Sequence, residues 1–192
     1  MRLNSISACP GADNLKNMKL EIPEVLYHGS YYDFGEFDDR FRRSNTEWEN
    51  TVHGFFFADK VENALLFGPR VYSAEVSITK PLDLRIHGIF STLEQAPVIC
   101  EIIFERKLQP RAALSLLNRE IDLGEIADLY DALNTEEANA HFKKSGYDGI
   151  ISDLGDYQNE YIAFNTSQIK ILEALNYGEE RHLIEVHARR RG

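Results

Sequence analysis

The sequence predicts an α+β fold. Strand-like segments stand toward both ends of the 192-residue chain, a helical pattern fills the middle from about residue 91 to 145, and the two kinds of segment do not alternate. Strand period is clearest in Val71 to Thr79, VYSAEVSIT, where Tyr, Ala, Val and Ile interleave with Val, Ser, Glu, Ser and Thr. Helix punctuation is clearest in TEEANAHFKKSG, with Thr135 as N-cap and Gly146 as the stop.

Taken in order, residues 1–21 lack periodicity and read as a flexible leader. Glu24 to His28 reads as a short strand ending at Gly29-Ser30. Residues 31–52 form a long polar and aromatic connection around Trp48, of a length that often carries function. Val52 to Ala58 reads as a strand. Asp59, with Glu62 three residues on, resembles a capping box and predicts a helix from about Lys60 to Phe67, stopped by Gly68-Pro69. Lys80-Pro81 closes the strand that begins at Val71. The helical stretch 91–145 contains two prolines, Pro97 and Pro110, and the strands DGIISD, EYIAF and QIKIL follow it. The reading divides the chain into the leader, a domain over 22–175 with a helical insert at about 91–145, and a C-terminal extension over 176–192.

Composition narrows the function. Hydrophobic residues at 43% and aromatics at 11% suit a folded domain with a core. No apolar run reaches the roughly 18 residues of a membrane span, and the first twenty residues lack the apolar stretch of a secretory signal. Cys9 and Cys100 have no metal-ligand spacing, and so few cysteines fit a reduced, cytoplasmic compartment. The formal net charge of −10 disfavours direct nucleic-acid binding and leaves Arg189-Arg190-Arg191 as a solvated tail. An acidic surface also fits a basic protein partner. There is no Gly-rich dinucleotide fingerprint, no phosphate-binding loop, and no His/Cys cluster, so no metal is expected.

Three segments carry candidate chemistry: Tyr27-His28-Gly29-Ser30, the aromatic run GFFFADKVENALLFG from Gly54 to Gly68, and Gln158-Asn159-Glu160-Tyr161-Ile162-Ala163-Phe164. Singly, each has an ordinary reading: a strand-end histidine is usually structural, an aromatic strand usually core, a glutamate at a strand start usually solvated. Together, in this order, they resemble the ADP-ribosyltransferases, in particular the diphtheria-toxin and poly(ADP-ribose) polymerase branch. That branch has His-Gly-Ser or His-Gly-Thr after its first strand, a Gly-Ile-Tyr-Phe-Ala-Asp stretch leading into a helix, and a late strand bearing a catalytic Glu. Gln158-x-Glu160 also looks like the Gln-x-Glu of toxins that modify side chains other than arginine. The ending YDGIISD…EYIAFNTSQIKIL is similar to transferase domains of phage and other mobile-element proteins. The resemblance covers roughly residues 24–172.

The resemblance implies a split β-sheet core with a helical insertion, and NAD⁺ as a consumed substrate. Glu160 becomes the catalytic acid residue, bonding the ribose 2′-OH, with Asp153 and Asp156 as rivals for the role. His28 holds the adenosine-side ribose, and the Gly29 backbone approaches the nicotinamide carboxamide, which needs a residue without Cβ. Ser30, Asn63 and Gln158 join the binding set. Phe56 and Phe67 grip the nicotinamide ring where the branch has two tyrosines; ring stacking survives that change and the phenolic hydroxyls are lost. Strand alternation then sends Phe55 and Phe57 into the core. The implied activity is mono-ADP-ribosyl transfer from NAD⁺ to a side chain of a target protein, in an effector of phage or intracellular origin acting in the cytoplasm of the producing or host cell. Alternatives are an NAD⁺ glycohydrolase on the same pocket and a catalytically inactive NAD- or protein-binding module. RNA-repair 2′-phosphotransferases share the general fold, but they need basic phosphate-binding residues that the acidic balance disfavours.

Overall fold

The computed structural model describes residues 21–43, 49–155 and 158–189. Residues 1–20 of the expected leader, among them Cys9, and Trp48, Asp156 and Arg190-Arg191 lie outside the described residues. Among the described residues seven strands form one sheet: β1 (Val25–Ser30), β2 (Phe55–Ala58), β3 (Arg70–Val76), β4 (Pro81–Asp83), β5 (Gly149–Gly155), β6 (Gln158–Ala163) and β7 (Ile169–Asn176). Their order across the sheet is β4-β5-β6-β2-β1-β3-β7. Neighbours are antiparallel except β4 and β5, which are parallel and therefore need a long crossover. The helices α2 (Ile86–Ile89), α3 (Ala96–Phe104), α4 (Pro110–Glu120), α5 (Ile126–Leu133) and α6 (Glu136–Lys144) supply it. The α+β prediction and the helical insertion stand.

The sheet is joined weakly across its middle. β1 and β3 share register at every residue from Val25 to Ser30, whereas β1 and β2 share only Tyr27 with Ala58. The split therefore falls between β1 and β2. One half is β4-β5-β6-β2 and the other is β1-β3-β7.

Alternation along the strands gives the sheet two faces. One carries Leu26, Phe55, Phe57, Ala74, Ile151, Tyr161 and Ala163 in a single core cluster, with Phe37 from the connection after β1 packed on it. The other carries two separate clusters. Ile150, Ile162 and Leu82 pack under the insert helices with Ile99, Leu117, Leu133 and Phe142. Val71 packs with Ala64 and Leu65, and Tyr27 and Tyr177 lie against them.

Several local expectations change. The strand expected from Val52 starts at Phe55, because Glu49–Val52 forms a 3₁₀ turn first. The helix expected over 60–67 is a single turn, α1 (Val61–Ala64). Asp59 does not cap it: Lys60 stands in extended conformation at the N-cap, and the Asp59 carboxylate instead accepts from the Asn63 side chain at 3.3 Å. Beyond Ala64 the chain tightens, with Leu66 N donating to Asn63 O and Phe67 N to Ala64 O. β3 ends at Val76 rather than at Lys80-Pro81, and Pro81 instead opens a further strand, β4, that periodicity over three residues could not reveal. Pro97 and Pro110 lie in the first turns of α3 and α4, where their missing N–H costs nothing. Thr135 caps α6 as expected, its side chain accepting from Ala138 N at 3.0 Å. A further helix, α7 (Glu179–Arg189), lies in the stretch read as an extension. Among the described residues no helix is long and apolar enough to cross a membrane, and no group of three His, Cys, Asp or Glu side chains is placed to hold a metal ion.

Candidate active site

The three motif-bearing segments meet at the split. β6 pairs with β2 so that Glu160 lies opposite Ala58 and Ile162 opposite Phe56. β5 pairs with β6 so that Ser152 lies opposite Glu160. Alternation then sets Phe56, Ala58, Gln158, Glu160 and Ser152 on one face, shared with Tyr27 and Gly29 of β1. This is the face on which α1 covers one half of the sheet and the insert helices the other. Between them runs a strip of the sheet that carries Phe56, packed against the insert cluster, and the buried Ala58 and Glu160.

Glu160 is buried, 6% exposed. The Ser152 hydroxyl donates to its Oε2 at 2.8 Å, which orients the carboxyl group from the neighbouring strand. Asp153, the described rival, is exposed and pairs in register with Asn159, so its side chain leaves the opposite face. On the same side as Asp153, the Arg85 guanidinium is clamped by Asp83 through two 2.8 Å bonds and donates to Asn159 Oδ1 at 3.0 Å, fixing the strand just ahead of Glu160.

The aromatic run divides by exposure. Phe56 and Phe67 are half-buried, while Phe55 and Phe57 are 7% and 2% exposed inside the other face's core. Gly29 serves a closer neighbour than a ligand. A Cβ there would sit 1.8 Å from the Ala64 carbonyl oxygen and 3.3 Å from Phe67 Cβ. Packing of α1 against β1 thus accounts for the glycine, and that packing brings Phe67 beside the Gly29 backbone. Asn63 is 5% exposed, with its amide engaged by Asp59. The Ser30 hydroxyl accepts from Tyr32 N at 2.9 Å, turning the chain out of β1. Gln158 stands half-buried two residues from Glu160 on its face.

His28 departs most from expectation. It pairs with Tyr72 across β1 and β3, and so belongs to the face opposite Glu160. Its ring lies among Phe34, Phe37, Phe57 and Tyr72, with centroids 5.0 to 6.4 Å away. Nδ1 donates to the Phe56 carbonyl at 2.7 Å, bridging the split where backbone pairing fails. That bond fixes the neutral tautomer and leaves Nε2 an acceptor. Burial of the ring pushes the imidazole below the ordinary histidine range, against a smaller upward pull from the Phe56 carbonyl.

Ser152 and Arg85 were not singled out in the sequence. Serine in a strand is common, and only cross-strand register places it against Glu160. Arg85 sits after a strand too short to recognise.

A family model described as ADP-ribosyltransferase in polyvalent proteins matches residues 22–177. No curated protein matches the chain in sequence. Among solved structures, an anti-CRISPR protein is similar at 18% identity, covering 77% of this chain and 94% of that one, with a TM-score of 0.43. The M. tuberculosis MbcT-MbcA toxin-antitoxin complex contains a chain similar at 9% identity, covering 85% and 87%, with a TM-score of 0.44. Likeness at that level says nothing of activity.

Proposed function

The chain belongs to the ADP-ribosyltransferase family found in polyvalent proteins, and from that premise we propose that it transfers ADP-ribose from NAD⁺ to a side chain of a target protein, with release of nicotinamide. One observation supports this reading most: Phe56, Ala58, Gln158 and Glu160 share a face at the split in the sheet, with Gly29 and Phe67 brought together at its edge by α1. We read NAD⁺ as lying along this strip. The open depression of about 490 Å³ on the insert helices, walled by Glu101, Glu105, Glu137 and His141 among others, is not the proposed site. Its acidic walls would repel the pyrophosphate.

In this reading Phe56 and Phe67 grip the nicotinamide ring, whose positive charge adds a cation–π contribution of about 0.5–2 kcal/mol. The Gly29 backbone meets the carboxamide. His28 Nε2, the acceptor left by the Phe56 bond, takes a hydroxyl of the adenosine-side ribose where the dinucleotide crosses from the strip to the gap between β1 and β2. Glu160 accepts from the 2′-OH of the other ribose, with Ser152 holding its second oxygen. The bond between ribose C1′ and the nicotinamide nitrogen breaks, and its electron pair stays with the nitrogen, which neutralises the departing ring. Positive charge develops on the ribose, as in glycoside cleavage, and the Glu160 carboxylate stabilises that state more than the ground state. The acceptor side chain then bonds C1′ and gives up its proton. The effector role and cytoplasmic setting belong to the same proposal.

The test is nicotinamide release from NAD⁺, measured with and without cell extract as a source of acceptor proteins, together with transfer of label from tagged NAD⁺. Release that needs extract and labels protein is the expected result. Equal release without extract assigns the reaction to water. Glu160→Gln is expected to lower turnover by about 10²–10³ while NAD⁺ binding holds; undiminished turnover in that variant removes Glu160 from the role.

A further inference from the structure

We propose that His182 is a positioning residue for the nicotinamide pocket, acting through α1 and the chain that leaves β1. This rests on the pocket reading above and adds a residue outside the family-matched span, which ends at 177, two residues before α7 begins.

α1 has four residues. One helical turn does not hold its shape alone, so its position comes from what it touches. On one side Ala64 is pressed to Gly29. On the other lies α7, in which His182 is the only buried residue among the side chains described, at 4% exposure. Its Nδ1 meets the Leu65 carbonyl at 2.5 Å. A carbonyl only accepts, so Nδ1 carries the proton, and Nε2 accepts from the Tyr31 hydroxyl, also at 2.5 Å. Leu65 is fully buried and lies between Asn63 and Phe67. Tyr31 directly follows Ser30. A single imidazole therefore ties together the two segments that carry the proposed nicotinamide contacts, Gly29-Ser30 and Asn63 to Phe67. Tyr177, leading into α7, packs on Ala64, Leu65 and Val71 and fixes the helix's approach. Arg181 and Glu62, 3.9 Å apart and exposed, add little.

The expected consequence is a pocket whose width depends on His182, while the acid on β6 does not. His182→Ala should accelerate amide hydrogen exchange across 61–67 by about tenfold or more and raise KM for NAD⁺ by about tenfold, with kcat within about threefold of the parent. Tyr31→Phe removes one hydroxyl and keeps the imidazole, so it should give the same pattern in smaller measure; it also serves if His182→Ala does not fold. His182→Asn keeps a donor for the Leu65 carbonyl and should restore part of the exchange protection. Unchanged exchange at 61–67 in both His182→Ala and Tyr31→Phe, in a protein that binds NAD⁺, overturns the role alone. Faster exchange with unchanged KM also overturns it, since α1 would then not shape the pocket. A parent protein that shows no NAD⁺ binding overturns the pocket reading and this role with it.

Discussion

Ser152 and Glu160 face each other across β5 and β6, and the 2.8 Å bond between them restricts a carboxylate that must meet one hydroxyl in one orientation. A hydrogen bond to a charged group contributes about 1.5–3 kcal/mol. Ser152→Ala is therefore expected to lower kcat by roughly tenfold or more with little change in NAD⁺ affinity, as read from initial rates over a range of NAD⁺ concentrations. The adjacent phenylalanines give a second contrast. Phe57 is 2% exposed within a core cluster, and Phe57→Ala should cost about 3–5 kcal/mol through the cavity it leaves. Phe56 is only half-buried, so Phe56→Ala should leave a better-folded protein whose melting temperature rises less with NAD⁺. Thermal melts of both variants with and without NAD⁺ check the pair; equal destabilisation with full NAD⁺ response would make Phe56 a core residue.

Among the elements, α1 matters out of proportion to its length. Its carbonyl at Ala64 occupies the place where any side chain on Gly29 would begin. Gly29→Ala must push that backbone outward, and overpacking of this kind costs about 1–3 kcal/mol. The expected outcome is a modest fall in melting temperature with a disproportionate loss of NAD⁺ binding, because Phe67 moves with α1. Calorimetric titration of NAD⁺ against the variant reads the second effect directly. The insert helices act on the other half of the strip. His53, just ahead of β2, is fully buried, accepting at Nδ1 from Asn139 on α6 and donating from Nε2 to Asn134 at the end of α5. β2 is thereby held to the insert from one end while His28 holds Phe56 to β1 from the side.

For the whole molecule, that arrangement makes stability depend on pH. Burial pushes the His53 imidazole down to about 4, outweighing the upward pull of its Asn134 bond. The unfolded chain, with histidine near 6.5, binds the proton first as pH falls. Stability is thus fully present above about pH 6.5 and is lost between there and pH 4, by about 3 kcal/mol from this residue. His28, also held below its ordinary range, adds in the same direction. Urea melts at pH 7.5 and 4.5 should show the loss, and His53→Gln should flatten the pH dependence even if it lowers stability at neutral pH. A parent protein equally stable at both pH values would contradict the buried neutral imidazole.

The sequence by itself determined the fold class, the helix cap at Thr135, the strand alternation that separates Phe56 from Phe57, and the order of motifs that resembles the family later matched over 22–177. All of these are local: periodicity, a cap, and short motifs are written in adjacent residues. Only the tertiary structure decided which face each motif presents. His28 was expected to hold the adenosine-side ribose, yet register with Tyr72 turns its side chain to the face opposite Glu160, where the ring packs among Phe34, Phe37, Phe57 and Tyr72. Gly29 was read as a glycine for close approach of a ligand, and the docking of the Ala64 carbonyl already requires it. Ser152 meets Glu160 across strands eight residues apart in sequence, and His182 meets Leu65 across 117. Such pairings follow from strand register and helix docking, which depend on how well distant surfaces bury one another, and no window of neighbouring residues contains that information.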